Sequence, residues 1–409
     1  MCSAIGVCVI NKKKNMSILE KKFIEVCKEH YLTLFVIVTS LFALLVRIAP
    51  LNFQSEDYNV CLSRWFDVLR ENGGFKGLGT YVGDYNAPYM TIMAALTYIP
   101  VNSLYTIKAV SILFDFVLAL SAGYLVAMLV NNNKKVYALV SYALVLFMPQ
   151  VIVNGAMWGQ CDSIYSSFVM MALILLIKEK YWQSFILLGL SFSFKLQFVF
   201  ILPVFVIMYV CERKFSILNF FIIPIVDIVL SLPAIIAGKS VKFLVTLYFW
   251  QAAEYPALVC NFPNIYSLMS GDYIGLKFIG IITTLMILLL LLFYFLYKEV
   301  QWNKHKIVTL ALLVLVIITY TLPGMHERYL YMGEVLSIIY YLVYRRNLSV
   351  IFMMNINAVV TYFIYLTKTP TSSIIPFLAI IYGGTIVLFI KDALKYISEK
   401  SSEESANVR

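Results

Sequence analysis

Apolar residues form long runs from Tyr31 to near Ile390, and short polar or charged segments separate the runs. An apolar run of about 20 residues with few charges is typical of a helix that crosses a membrane. The pattern therefore predicts an all-α polytopic membrane protein with about 12 transmembrane helices. Their predicted positions are Tyr31–Pro50, Thr106–Val130, Val136–Val153, Ile164–Ile177, two helices within Tyr181–Cys211, Phe215–Ala237, Tyr273–Tyr297, Ile307–Leu322, a tenth running to Arg345, Val350–Leu366 and Ile374–Ile390.

The polar segments divide the chain into three predicted regions. Residues 1–29 are polar and lysine-rich, and we expect them to form a cytoplasmic N-terminal segment. Residues 30–391 form one transmembrane domain, and residues 392–409 form a cytoplasmic tail. Within the transmembrane domain, residues 51–104 and 238–272 are the two large loops predicted on the outer face.

The first outer loop predicts helices that lie in the membrane interface. Val60–Glu71 carries apolar and charged side chains at helical spacing, and Asp84–Tyr98 is apolar but short. Tyr181–Cys211 has room for two helices that are each short for a full crossing. We expect a hairpin there with Phe194–Gln197 at its tip, and a single span is the alternative.

Composition and charge exclude several classes of protein. The chain is 61% hydrophobic and only 13% charged, which a soluble protein of this length could not accommodate. The net charge of +10 comes from lysines and arginines that fall mostly in predicted inner segments. We therefore expect membrane lipids as partners and no nucleic acid. The seven cysteines lack metal-ligand spacing and are expected to be reduced.

Acidic or aromatic-rich polar groups recur in the predicted outer segments. Ionisable groups close to hydrocarbon are costly and are usually functional or paired. The outer face is therefore the predicted location of the chemistry. The groups concerned are Glu56, Asp57, Asp84, Trp158–Asp162, Glu254, Asn261–Tyr266 and His326–Arg328.

Glu56 and Asp57 directly follow the first predicted span. A carboxylate at such a boundary can stay ionised and accept a proton. The alternative is that Asp57 and Arg64 pair as interface anchors, but one ion pair would explain only one of the two carboxylates. Asp84 and Tyr85 likewise fit either a helix start or a substrate contact.

Three further stretches carry candidate site residues. Trp158–Asp162 fits an interfacial belt and helix cap or a substrate contact. Lys195 lies within an apolar stretch and needs an anion, which Asp115, Asp227 or a phosphate could supply. In His326–Arg328, the histidine and arginine can donate to a phosphate, and the glutamate between them can orient either one.

Four of these stretches together carry a resemblance to a known family. Ser55–Tyr58, Gly83–Pro88, Phe194–Gln197 and Met325–Arg328 occur in the same order as four motifs of the C-type (GT-C) polytopic glycosyltransferases. Those motifs are an acidic first-loop motif, an Asp-Tyr-Pro-Pro stretch, a Tyr-Lys-Gln hairpin and a His-Glu-Arg or His-Glu-Lys turn. The chain resembles dolichyl-phosphate-glucose glucosyltransferases and bacterial mannosyltransferase-like membrane proteins. It departs from the second motif at Asn86–Ala87, which leaves the sugar open.

The resemblance implies an inverting transfer of a hexose, mannose or glucose, from a polyprenyl-phosphate carrier to a lipid-linked or cell-surface glycan. It implies Asp57 as general base, with Glu56 in the same catalytic motif. It implies that the donor phosphate is held by Lys195, His326 and Arg328. The substrate-binding candidates are Asp84, Tyr85, Trp158, Gln160, Asp162, Asn261 and Glu327.

The same resemblance bears on cofactor and location. Relatives that use a divalent metal carry additional acidic motifs, so the adjacent pair Glu56 and Asp57 favours a reaction without a cofactor or metal. We expect a site on the extracytoplasmic side of the cell membrane, or on the lumenal side of the endoplasmic reticulum as the alternative. A secondary transporter or lipid-linked-sugar flippase is the rival function, although transporters place polar sites near the midplane.

Overall fold

The computed structural model describes residues 17–80, 83–369 and 374–399. This part of the chain is almost entirely helical, with one pair of two-residue strands. The N-terminal half contains α1 Ile18–Glu29, α2 Tyr31–Ile48, α3 Ser63–Glu71, α4 Ala87–Leu96, α5 Ser103–Leu129, α6 Lys134–Phe147, α7 Pro149–Ile152, α8 Asp162–Ile177, α9 Tyr181–Phe194 and α10 Leu202–Glu212. The C-terminal half contains α11 Ile222–Ile236, α12 Val241–Ala253, β1 Val259–Cys260, α13 Tyr273–Tyr297, α14 Lys304–Thr321, β2 Met325–His326, α15 Tyr331–Tyr344, α16 Leu348–Thr367 and α17 Ile374–Ser398.

The chain divides into two compact units, Met1–Leu45 and Val46–Arg409. In the first unit, α1 begins with a capping box, in which the Ser17 hydroxyl accepts from the Glu20 backbone N–H at 3.2 Å and the Glu20 carboxylate accepts from the Ser17 N–H at 2.7 Å. This helix lies within the N-terminal segment, for which the sequence predicted polarity but no helix. The second unit contains every candidate site residue.

The long apolar helices confirm a multi-pass membrane protein built from helices. Over the described residues, seven helices are long and apolar enough to cross a membrane, or eight if the bent pair formed by Lys134–Phe147 and Pro149–Trp158 is one span. The other predicted spans coincide with the shorter helices α8, α9, α10 and α15, of 11 to 16 residues. The number of crossings, about 12, therefore stays a prediction.

Small residues let neighbouring helices of the second unit pack closely. A side chain at Gly123 in α5 would lie 2.8 Å from the Ala138 carbonyl oxygen of α6, and one at Gly189 in α9 would collide with Val226 of α11. Close packing of small residues is the main source of association between helices in a bilayer. At the C-terminus, α17 continues past the predicted tail boundary, because Ala393, Tyr396 and Ile397 form one buried face.

Non-helical contacts join the second large outer loop to the turn before α15. β1 pairs in parallel with β2, with Cys260 opposite His326, and the Gly324 N–H donates to the Leu258 carbonyl oxygen at 2.8 Å. Gly324 has a φ of 74°, a conformation that favours glycine. This pairing fixes the backbone position of His326 relative to the loop.

Candidate functional site

A cleft lined by the loops and helix ends of the second unit brings most of the predicted site residues together. It encloses about 890 Å³ of empty space, counted out to its open mouth. The first outer loop, the α7–α8 connection, the break between α9 and α10, the second outer loop and the β2–α15 turn all line it. The predicted residues on its wall are Asp57, Asp84, Tyr85, Gln160, Lys195, His326 and Arg328.

The Asp57 carboxylate is held in the cleft by neutral donors. Its Oδ2 accepts hydrogen bonds from Trp158 Nε1 at 2.8 Å and Gln160 Nε2 at 2.6 Å, and its Oδ1 accepts one from the Tyr365 hydroxyl at 2.9 Å. Asp57 therefore does not need Arg64 as a partner, which was the alternative from the sequence. A carboxylate offers about four acceptor positions, so one remains for a substrate hydroxyl.

Glu56, the neighbouring carboxylate, lies outside the cleft. Its side chain is 55% exposed and forms an ion pair of 3.1 Å with Lys368, which is 71% exposed. Exposed pairs of this kind contribute little to stability. The geometry therefore separates the two adjacent acids, because successive residues of a helical turn point in different directions.

The segment around Asp57 is attached to the α7–α8 connection by both main-chain and side-chain contacts. The Ser55 hydroxyl donates to the Trp158 carbonyl oxygen at 3.0 Å, and it also accepts from the Tyr58 N–H at 3.2 Å. Gly159, with a φ of 80°, turns the chain between Trp158 and Gln160. This turn allows both flanking side chains to reach Asp57.

Lys195 forms a buried ion pair that the sequence did not predict. It lies at the break between α9 and α10, where its backbone is extended, and its Nζ is 2.6 Å from Asp162 Oδ1. The predicted partners are engaged elsewhere: Asp115 pairs with Arg47 at 2.9 Å, and Asp227 accepts from the Tyr248 hydroxyl. The physical reason is proximity, since Asp162 opens α8 beside the α9–α10 break.

Asp162 is therefore a support for the cations and not a wall residue. It is fully buried, its Oδ2 accepts from Asn154 Nδ2 at 2.8 Å, and the same oxygen is 3.7 Å from Arg328 Nε. The sequence predicted a substrate contact for this residue. The structure instead places the carboxylate behind Lys195 and Arg328, where it opposes their mutual repulsion.

Arg328 lies across the floor of the cleft and has more N–H donors than its contacts within the protein use. Its Nη1 is 3.1 Å from Glu327 Oε1, and its guanidinium carbon is 5.1 Å from the centre of a Trp158 ring. A guanidinium has five N–H donors, and in Arg328 the buried Nε lies toward the Asp162 carboxylate while Nη1 meets Glu327. The side chain can therefore donate to an anion while it stays paired with Glu327.

Glu327 and Asn261, both predicted to bind substrate, face each other away from the cleft. Glu327 is fully buried, and a hydrogen bond with the Asn261 side chain adds to its contact with Arg328. Burial raises the pKa of Glu327, although Arg328 acts in the opposite direction. Glu327 therefore supports Arg328, and substrate contact by Glu327 and Asn261 stays a prediction.

His326 is neutral at physiological pH. Burial, with Arg328 and Lys195 nearby, lowers the pKa of His326 from 6.5 to about 3. Its ring packs against the rings of Tyr255 and Tyr329, with centroids 4.7 and 4.9 Å away. His326 can therefore donate a single N–H to a phosphate, but it does not add a positive charge to the site.

Asp84 and Tyr85 both line the cleft. The Tyr85 hydroxyl donates to Gln160 Oε1 at 3.1 Å, which orients the amide that holds Asp57. Asp84 is exposed on the wall, and the cap of α4 is Asn86, so Asp84 is not the helix cap that the sequence allowed. Burial raises the pKa of Glu254, and the negative charges of Asp84 and Asp57 raise it further.

The residues that the sequence did not indicate as site candidates include Tyr365, which donates to Asp57, and Glu254, which lines the cleft. Tyr365 lies 308 positions from Asp57 and looks like an ordinary aromatic residue of an apolar helix, so no sequence signal indicates it. Glu254 was noted among the outer acidic groups but was not assigned to the site. Its place beside Asp57 and Asp84 depends on how the two outer loops meet.

A groove leads from the cleft along the helices. A second cavity shares Gln197, Tyr255 and His326 with the cleft. A third cavity between α10, α13 and α14 shares Phe200 and Ile281 with the second. Apart from Thr284, the side chains that line the third cavity are apolar. A polar cleft thus adjoins, through shared wall residues, a mostly apolar cavity between α10, α13 and α14.

The arrangement combines an oriented carboxylate, donors for an anion and an apolar groove. No protein-family model matches this chain, and no curated protein matches it. Its function must therefore be inferred from the chemistry of this site.

Proposed function

We propose that this protein is an inverting hexosyltransferase that uses a polyprenyl-phosphate sugar as donor. The observation that carries the proposal is the position of the groove beside a cleft that holds both Asp57 and the cations Lys195 and Arg328. A lipid phosphate fits this combination, because its chain needs apolar surface and its headgroup needs donors. The acceptor is a lipid-linked or cell-surface glycan that presents a hydroxyl.

The proposed reaction is a single displacement. Asp57 takes the proton of the acceptor hydroxyl as its oxygen forms a bond with the anomeric carbon. The bond between that carbon and the phosphate oxygen breaks, and polyprenyl phosphate leaves with the electron pair. Lys195, Arg328 and the neutral His326 donate to the phosphate as its charge grows.

A reaction without a metal is part of the proposal. The hydrogen bonds that Asp57 accepts on both oxygens leave little capacity for an ion. EDTA should therefore leave the transfer rate unchanged, and a rate restored only by added Mg²⁺ or Mn²⁺ would contradict this part.

The direct test uses purified protein and a panel of polyprenyl-phosphate sugars with mannose or glucose. Release of polyprenyl phosphate together with a glycosylated acceptor is the expected result. A labelled donor that crosses the bilayer intact, without release of sugar, would instead favour the rival flippase.

Arg328→Lys should weaken donor binding, because one bidentate contact becomes a single one, at a cost of roughly 1–3 kcal/mol.

The outer location of the site is also a proposal. It predicts that Gly271→Cys reacts with an impermeant thiol reagent added to intact cells and that Asn303→Cys does not. Both variants are made in a cysteine-free background, and the cysteine-free parent protein is the control. The opposite labelling would place the cleft on the inner face.

A further inference from the structure

A buried lysine, which forms no ion pair within the described part of the chain, lies beside the segment that precedes Asp57. Lys108 is 1% exposed in the second turn of α5. Its Nζ donates to the carbonyl oxygens of Leu51 at 2.8 Å and Phe53 at 2.6 Å, and lies 3.4 Å from that of Pro50. An ammonium has three donors and can serve these converging carbonyls, of which that of Pro50 also accepts from the Phe53 N–H at 3.0 Å.

The same lysine contacts the other side of the Asp57 environment. A Cβ placed at Gly159 would lie 3.6 Å from Lys108 Cγ, so the aliphatic stem of the lysine runs close to this glycine. Gly159 separates Trp158 from Gln160, whose side chains both donate to Asp57. Lys108 therefore binds the segment that precedes Asp57 and lies close to the turn that supplies two of its donors.

Neighbouring residues of α5 strengthen the attachment. The Tyr105 hydroxyl donates to Asn52 Oδ1 at 2.8 Å, and the hydroxyls of Ser103 and Tyr58 are 2.8 Å apart. The start of α5 thus holds the chain on both sides of Asp57.

We propose that Lys108 is a positioning residue for Asp57: its ammonium fixes residues 50–53 and its stem supports the Trp158–Gln160 turn, so that the carboxylate meets its donors. The inference rests on the proposed function only where Asp57 is taken as the base. The positioning itself concerns the resting protein and can be measured without substrate.

The test compares Lys108→Met with a matched control, Lys304→Met, whose lysine lies in α14 and contacts the other end of α5. Lys304 also donates to a carbonyl oxygen of α5, that of Met128 at 2.5 Å, and Lys304→Met removes this bond far from the cleft. Each protein is labelled with 5-fluorotryptophan, and the Trp158 resonance is assigned by its loss in Trp158→Phe. We expect Lys108→Met to shift the Trp158 resonance and Lys304→Met to leave it in place.

Turnover supplies the second readout. Displacing a catalytic group by about 1 Å can cost roughly 10²-fold in rate, so Lys108→Met should lower kcat about 10²-fold with little change in donor KM. Lys108→Arg, which keeps a cation and several donors, should recover part of the rate. If Lys108→Met does not fold, Lys108→Gln, with one amide donor group, takes its place in both measurements.

The outcomes separate the two proposals. An unshifted Trp158 resonance in the Lys108 variant, or an equal shift in Lys304→Met, overturns the positioning role. A wild-type protein that transfers no sugar but shows the specific resonance shift contradicts the proposed function and leaves the positioning role supported.

Discussion

Asp162→Asn removes a buried negative charge that two cations of the cleft share. The carboxylate is fully buried, 2.6 Å from Lys195 Nζ and 3.7 Å from Arg328 Nε. Water cannot replace the lost charge at this depth. Removing one partner of a buried pair costs about 3–5 kcal/mol of the free energy of unfolding. We therefore expect the variant, without ligand, to unfold in detergent at a clearly lower temperature than the wild type.

An anion in the cleft should compensate the same variant. Polyprenyl phosphate is expected to raise the unfolding temperature of Asp162→Asn more than that of the wild type, because the phosphate takes over the missing charge. Asp115→Asn is the matched control, since it breaks the buried pair with Arg47 at 2.9 Å outside the cleft. The assay is thermal unfolding of the three proteins with and without the lipid. The reasoning is refuted if Asp162→Asn is as stable as the wild type, or if the lipid stabilises it no more than Asp115→Asn.

Three further changes test the cleft. Asp57→Asn should lower kcat by about 10²–10⁴-fold and leave donor binding intact. Glu56→Gln, at an exposed position, should transfer sugar at a near-normal rate. Normal turnover by Asp57→Asn would exclude Asp57 as the base. Tyr365→Phe removes a donor to Asp57 and should lower kcat about 10–100-fold, since a hydrogen bond to a charged group contributes about 1.5–3 kcal/mol. An unchanged kcat would show that this hydrogen bond is dispensable. The pKa of His326 is lowered to about 3, so the stability that the neutral ring contributes is complete above pH 6.5 and is lost as the pH falls toward 3. His326→Asn should therefore lose less stability than the wild type over this pH range, as measured by thermal unfolding. An unaltered pH dependence in the variant would contradict this prediction.

Local sequence patterns predicted the helices well because they depend on neighbours in the chain. Each predicted span coincides with a helix, and the Tyr181–Cys211 segment divides at Lys195 as expected for a hairpin tip. The amphipathic spacing of Val60–Glu71 likewise matches a helix that buries Phe66 and Leu69. Hydropathy could not decide how many short helices cross, since length and composition are the same for a short span and a re-entrant helix.

The sequence by itself determined that this is a helical membrane protein with its acidic and aromatic-rich segments between certain apolar runs. Only the tertiary structure decided which of those groups meet. Asp57 lies in the cleft and Glu56 lies outside it, and Lys195 pairs with Asp162. Tyr365, which is 308 positions away in the sequence, donates to Asp57. The reason is physical: backbone hydrogen bonding and hydropathy act locally, whereas the pairing of buried charges depends on helix rotation and packing, which no single segment specifies.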